Sequence, residues 1–103
     1  MTRILLGECG VDTGQLVIID PSYIAQGLFD ETTQRECDTI KGSGKPGGSV
    51  LRDLAVVTLT GIGDGSYPVY ATVEEIPGWG ERVTRIEIDF TQHVFLEDSP
   101  EAK

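Results

Sequence analysis

The chain has 103 residues, 17 of them acidic and 8 basic, and a formal net charge of −9. This length suits one domain with one modest core, and the charge argues against direct binding to nucleic-acid phosphates or anionic membranes. We therefore expect a small-molecule partner, a cation or a basic protein surface.

Targeting signals are not evident in the sequence. No apolar run approaches the roughly 20 residues that a membrane span requires. The apolar run that begins at Ile4 is interrupted by Gly7 before the core of a signal peptide could form. We therefore expect a cytoplasmic protein without membrane association.

The first two apolar stretches of the chain predict short strands. They cover residues 3–9 and 15–19, and the segment between them, 12–14, has the Asp-Thr-Gly composition of a tight turn. Because both flanks favour strands and the connection is short, this part of the chain predicts a β-hairpin.

The next segment predicts little regular structure. Asp20 offers an N-cap and Pro21 suits the first helical position, so residues 22–28 are predicted to form a short helical turn. Residues 30–38 are polar and show no clear helical period. The run 41–49 is rich in glycine and predicts a mobile loop.

The second half alternates apolar and polar residues, as half-buried strands do. The alternation covers residues 55–60, 67–76 and 82–90. The last two are separated by a glycine-containing loop at 77–81 and are predicted to form a long hairpin.

Residues 94–96 predict a last edge strand, and 97–103 an acidic, disordered tail. The whole pattern predicts a mainly β fold, a small antiparallel sandwich or barrel of about five or six strands with one short helical turn. The predicted single domain covers residues 1–96.

The sequence requires neither a metal nor a cofactor. Cys9 and Cys37 lack CxxC spacing and are accompanied by a single histidine, His93, so they are interpreted as buried, reduced thiols. Gly44-Lys45 lacks the earlier glycine and the following hydroxyl residue of a phosphate-binding loop.

Asp12 begins an Asp-Thr-Gly triplet of the kind found in aspartic proteases. The likeness is only three residues long. Aspartate and glycine in a tight turn explain the same triplet without catalysis, and we prefer that interpretation.

Two carboxylates at predicted strand exits form the first candidate site. Asp20 lies near Tyr23, and Asp64 lies near Tyr67 in a glycine-flanked segment. Together with backbone carbonyls, the two carboxylates could hold calcium or magnesium. The alternative, which we favour, is structural: Asp20 caps the helical turn and Asp64 occupies a type I′ or II′ turn with Gly65.

Aromatic residues add a second candidate surface. Strand alternation places Tyr67 in the core and Tyr70 on the opposite face. Tyr70 and Trp79 are therefore predicted to contribute to a recognition surface, since aromatic residues are favoured at interfaces.

Four motifs occur in order along the chain: VDTGQ at 11–15, DPSY at 20–23, GDGSYPVY at 63–70 and DF at 89–90. Together they resemble a bacterial family of small domains of unknown function. The resemblance implies that the neighbourhood of Asp20 and Asp64 is special, but it implies no activity. Ser22 stands where that family often has cysteine, so a thiol role does not carry over.

The sequence leaves two classes of function open. The first is a small acidic binding module for a small ligand, a cation or a basic protein surface. The second is a carboxylate-dependent hydrolase, with or without metal. We favour binding, because the sequence offers no credible catalytic constellation.

Overall fold

The computed structural model describes residues 1–91 and is mainly β, as predicted. The elements in chain order are β1 (Thr2–Val11), β2 (Gln15–Ile19), α1 (Pro21–Ala25), α2 (Glu31–Gly42), β3 (Gly47–Val50), β4 (Ala55–Leu59), β5 (Gly65–Ile76) and β6 (Gly80–Ile88). The strands form two antiparallel sheets, in the orders β1-β5-β6 and β2-β4-β3. Each sheet keeps two edge strands in the described range, so neither is a closed barrel. The predicted strand at 94–96 and tail at 97–103 lie outside the described residues.

The chain divides into two compact units. Within the described residues, the hairpin unit consists of Met1–Asp12 and residues 64–91, and the helical unit is Thr13–Gly63. Neither helix within residues 1–91 has the length and apolarity needed to cross a membrane.

The predicted hairpin between residues 3–9 and 15–19 is wrong. β1 pairs with β5, and β2 pairs with β4 in the other sheet. The physical reason is length: β1 has ten residues and β2 has five, so pairing them would leave half of the backbone groups of β1 unpaired. The 12-residue β5 pairs with β1 along almost its whole length and satisfies those groups.

The long hairpin predicted in the second half is confirmed. β5 and β6 are antiparallel from the pair Val69–Ile88 to the pair Ile76–Gly80, with one irregularity after Thr72. The Trp79 N–H closes the turn by donating to the Ile76 carbonyl oxygen at 2.8 Å. Alternation of apolar and polar residues in both segments favours a hairpin, because pairing in register places the apolar side chains of both strands on one face.

The short helical turn after Asp20 is also confirmed. α1 ends in a Schellman motif, in which the Gly27 N–H donates to the Ile24 carbonyl oxygen and the Leu28 N–H donates to that of Tyr23, each at 2.9 Å. Gly27 has a φ of +75°, a value that glycine adopts without strain and that ends the helix here.

The second helix, α2, was not expected from the polar stretch at 30–38. The Asp30 carboxylate caps it by accepting the N–H groups of Thr32 and Thr33 at 2.9 and 3.2 Å. Thr33 and Cys37 are buried four residues apart, and Ile40 packs against the core three residues later. The buried positions therefore follow a helical period. Because two of them are a threonine and a cysteine, the hydropathy pattern shows this period only weakly.

The mobile loop predicted over 41–49 is mostly regular structure. Residues 41 and 42 are the last residues of α2, and Gly47 to Val50 form β3, which pairs with β4. Val50 joins Cys37, Ala55 and Val57 in the buried core of the helical unit. Glycine at position 47 allows close approach of two strands: a Cβ there would collide with the carbonyl oxygen of Val57.

We predict opposite effects for alanine at two glycines of this segment. Gly47→Ala forces the backbones of β3 and β4 apart and lowers the free energy of unfolding by about 1–3 kcal/mol. Gly42→Ala, the matched control, meets no atom within 4 Å and raises it by up to about 1 kcal/mol, because alanine favours helix over glycine. Urea denaturation measures both. Equal effects would contradict the close-packing explanation for Gly47.

Candidate functional site

The predicted site residues fall into two groups. Asp20 and Tyr23 belong to the helical unit, whereas Asp64, Tyr67, Tyr70 and Trp79 belong to the hairpin unit.

Asp20 is the N-cap of α1. Its carboxylate accepts the Ser22 N–H at 2.8 Å. This backbone hydrogen bond, together with the Ser22 side chain, holds the pKa of Asp20 below its ordinary value. Tyr23 is half-buried, and its carbonyl oxygen accepts the Leu28 N–H of the helix end. The capping interpretation of Asp20 matches this geometry.

Asp64 does not occupy the predicted type I′ or II′ turn. Such a turn needs a positive φ at this position, but Asp64 does not have one. The turn spans residues 60–63 and ends before Asp64. The Gly63 N–H donates to the Thr60 carbonyl oxygen at 2.6 Å, and Thr60 Oγ1 donates to the Gly63 carbonyl oxygen at 2.9 Å. Asp64 itself is exposed, and its carboxylate accepts no side-chain or backbone hydrogen bond from residues 1–91.

The three aromatic candidates differ in exposure. Tyr67 is fully buried, as predicted, and meets Phe90 edge to face with ring centroids 5.3 Å apart. Tyr70 is half-buried beneath Arg3, whose guanidinium carbon lies 3.7 Å from the ring centroid. Only Trp79 is largely free, with 67% of its surface exposed at the tip of the β5–β6 hairpin.

Metal and thiol chemistry find little support in the described geometry. Within residues 1–91, no group of three or more His, Cys, Asp and Glu side chains could hold a metal ion. Both cysteines are free thiols, Cys37 buried and Cys9 half-buried. Burial raises the pKa of the Cys37 thiol, and the nearby carboxylates of Asp38 and Glu36 raise it further. A thiol that resists ionisation is a poor nucleophile.

A concave site that the sequence did not reveal lies inside the helical unit. It is a pocket of about 400 Å³. Three segments line it: the α1–α2 connection, the first turns of α2 and the β3–β4 turn. The lining residues are Gly27, Leu28, Asp30, Thr32, Thr33, Glu36, Leu51, Arg52 and Leu54.

The β3–β4 turn on one side of this pocket is strained. Leu51, Arg52 and Asp53 have φ values of 55°, 54° and 69°, a left-handed conformation that costs non-glycine residues roughly 1–2 kcal/mol each. The Leu54 N–H closes the turn by donating to the Leu51 carbonyl oxygen at 3.1 Å. Backbone strain of this kind persists only where surrounding contacts maintain it, and strained residues cluster at functional sites.

Glu36 is one of the contacts that hold this turn. Its carboxylate oxygen Oε1 accepts the N–H of Leu51 at 3.0 Å, which ties the strained turn to α2. The hydrogen bond links two of the three pocket segments directly. Glu36 therefore helps to set the shape of the pocket.

The pocket combines apolar walls with a few polar groups. Leu28 and Leu54 are 38% and 43% exposed, so they offer apolar surface to a ligand. Asp30 and Glu36 supply carboxylates, and Arg52 is the one basic side chain of the lining. Thr33 Oγ1 donates to the Leu28 carbonyl oxygen at 3.2 Å. The arrangement suits a small molecule with an apolar body and a hydrogen-bonding or charged group.

The chain matches no family model, no curated protein and no solved structure. The resemblance to a bacterial family through the motifs at 11–15, 20–23, 63–70 and 89–90 therefore stays a proposal. Function must be inferred from the geometry of the chain itself.

We predict that Glu36 stabilises the β3–β4 turn through its carboxylate. Glu36→Ala removes the acceptor of the Leu51 N–H and lowers the free energy of unfolding by about 1 kcal/mol. Glu36→Gln is the matched control, because its amide oxygen still accepts the bond. Amide hydrogen exchange at Leu51 should speed up in the alanine variant alone. Equal exchange in the two variants would contradict this role.

A second prediction concerns acid. Because folding lowers the pKa of Asp20 from its ordinary value of 3.8, its ionised carboxylate stabilises the fold above that pH. The stabilisation is lost as the pH falls through the folded-state pKa. The Ser22 amide, followed by NMR, should therefore titrate with a midpoint below 3.8. In Asp20→Ser, whose N-cap cannot ionise, this transition should be absent. A midpoint at or above the ordinary value would contradict the capping role.

Proposed function

We propose that the protein is a small acidic binding module and that the pocket of the helical unit is its ligand site. The observation that carries the proposal is a cavity of about 400 Å³ bounded by a turn with three consecutive left-handed, non-glycine residues. A strained turn of this kind persists only where neighbouring contacts hold it.

The size and lining of the pocket fit a small organic molecule. Ligand pockets of proteins are typically about 300–1,000 Å³, with apolar walls and a few placed polar groups. Leu28 and Leu54 supply the apolar walls, and Asp30, Glu36 and Arg52 supply the polar groups. The carboxylates outnumber the single base, so a ligand with a positively charged or hydrogen-bond-donating group is favoured over an anion.

Ligand binding is better supported than hydrolysis. Both pocket carboxylates are already engaged by backbone N–H groups, Asp30 by Thr32 and Thr33 and Glu36 by Leu51. A carboxylate that already accepts such bonds positions the local backbone, which is a structural role rather than that of a free general base. The carboxylate-dependent hydrolase stays the competing proposal, and turnover of a bound compound would favour it.

The test is a thermal-shift screen with amines, sugars, nucleotides and divalent cations. A ligand that binds only the folded chain stabilises it by about 2.7 kcal/mol at a concentration of 100 times Kd. We expect at least one compound to raise the Tm of the wild type. The shift should disappear in Leu54→Ser, which makes the apolar wall polar.

The matched control is Ile62→Ser, which makes the same kind of change at an exposed site of the helical unit outside the pocket lining. It should keep the ligand-induced shift. A shift that persists in Leu54→Ser, or that is lost equally in Ile62→Ser, would place binding elsewhere and overturn the proposal.

A further inference from the structure

The tip of the β5–β6 hairpin contains an unfavourable charge pair. Glu75 and Glu81 are direct cross-strand partners in the antiparallel register, and both side chains are exposed. Side chains of such partners lie on the same face, about 4.5–5.5 Å apart at Cβ, and like charges there destabilise a sheet. The hairpin therefore carries a repulsion that a neutral residue at either position would remove.

No positive side chain in residues 1–91 neutralises this pair through a salt bridge. Arg82, the nearest base in sequence, directs its guanidinium to the backbone carbonyl oxygen of Glu81 at 2.9 Å. It is the cross-strand partner of Glu74, whose carboxylate accepts the hydroxyl of Thr84 at 2.6 Å. By strand alternation, Glu74 and Arg82 belong to the opposite face of the hairpin.

An exposed apolar strip continues from the acidic pair on the same face. Val83 lies two residues from Glu81, and Ile4 and Ile86 both pair with Ala71 in register. These three apolar side chains are 58%, 41% and 53% exposed, respectively, although Ala71 between Ile4 and Ile86 is fully buried. Along β5, from the partner of Ile86 to that of Glu81, the strip extends roughly 13 Å at about 3.3 Å per residue.

Trp79 completes the surface at the hairpin tip. It lies two residues before Glu81 and is 67% exposed. Tryptophan is the aromatic ring that attracts Arg and Lys cations best, and it is enriched among the residues that dominate binding energy at interfaces. An exposed tryptophan two residues in sequence from an unneutralised carboxylate pair is complementary to a cation.

We propose that this surface, formed by Ile4, Ile86, Val83, Glu75, Glu81 and Trp79 and named here the acidic–apolar strip, docks a basic amphipathic segment of a partner protein. Apolar side chains of the partner cover the isoleucines and the valine. An arginine or lysine at the end of the segment lies between the two carboxylates and against the indole ring. Binding relieves the repulsion between Glu75 and Glu81, so the complex gains a stabilisation that the free hairpin lacks. This docking is independent of ligand binding in the helical unit.

The test uses a short blocked peptide that alternates serine with leucine in its first half and with arginine in its second half. Trp79 is the only tryptophan of the chain, so its fluorescence reports binding at the strip directly. We expect saturable binding. The same peptide with glutamate in place of arginine should not bind.

The decisive variant is Glu75→Gln/Glu81→Gln. It should weaken peptide binding by at least about tenfold, because two charge-assisted contacts are lost. It should also raise the Tm, because the like-charge repulsion is gone. Weaker binding in a more stable protein cannot be explained by unfolding. Trp79→Ala, followed by calorimetry, should weaken binding as well.

The matched control is Asp12→Asn/Asp64→Asn. It removes the same charge from two exposed residues at the other end of β5, beside the pair Val11–Gly65. It should change affinity by less than about threefold, since charges this far apart are largely screened at physiological salt. Leu54→Ser should bind the peptide like the wild type, which separates this proposal from the pocket.

Three binding results would overturn the proposal: absence of saturable binding by the wild type, equal loss in the Asn control, or binding of the glutamate peptide. The second would show that the peptide responds to net charge alone. NMR chemical-shift changes that avoid Val83 and Ile86 would likewise place the contact on another surface.

Discussion

The packing of α2 against the β3–β4 hairpin is the interaction on which the helical unit depends. Cys37 from the helix meets Val50, Ala55 and Val57 from the hairpin in one buried cluster. The contact requires close strands, which the glycine at the start of β3 permits. It also brings Glu36 to the turn that follows Val50, so the same packing that forms the core creates the pocket. Core and candidate site are therefore coupled, and a change that loosens the helix should alter both.

Within residues 1–91, two places depart from the local rules of secondary structure. One is the β3–β4 turn, where three non-glycine residues adopt left-handed φ values. The other is the pair of glutamates opposite each other near the hairpin tip. Sequences usually agree with their fold at every level, and exceptions tend to occur at functional sites. Each violation adjoins exposed apolar surface, Leu54 in the first case and Val83 in the second. This coincidence is the physical basis for assigning binding roles to both.

The site residues predicted from the sequence and those chosen from geometry overlap at one side chain. Trp79 was predicted as an aromatic residue of a recognition surface and is exposed in the structure. Tyr67 is a core residue, and Tyr70 is covered by Arg3. Asp20 has a capping role, which the Asp-Pro pair in the sequence indicated. The pocket escaped prediction because its walls come from three segments with no common motif, and because the polar stretch that forms α2 has threonine and cysteine at its buried positions.

The sequence by itself determined the elements whose signal is local. Period-2 alternation specified β5 and β6, since each strand must present one apolar face, and Asp20 with Pro21 specified α1, since the cap and the proline act within one turn. Only the tertiary structure decided the long-range pairing of β1 and β2. β1 joins β5 across more than fifty intervening residues, and this choice depends on matching strand lengths and on satisfying backbone hydrogen bonds. The pocket and the acidic–apolar strip also depend on tertiary structure, because each forms only when segments distant in sequence come together.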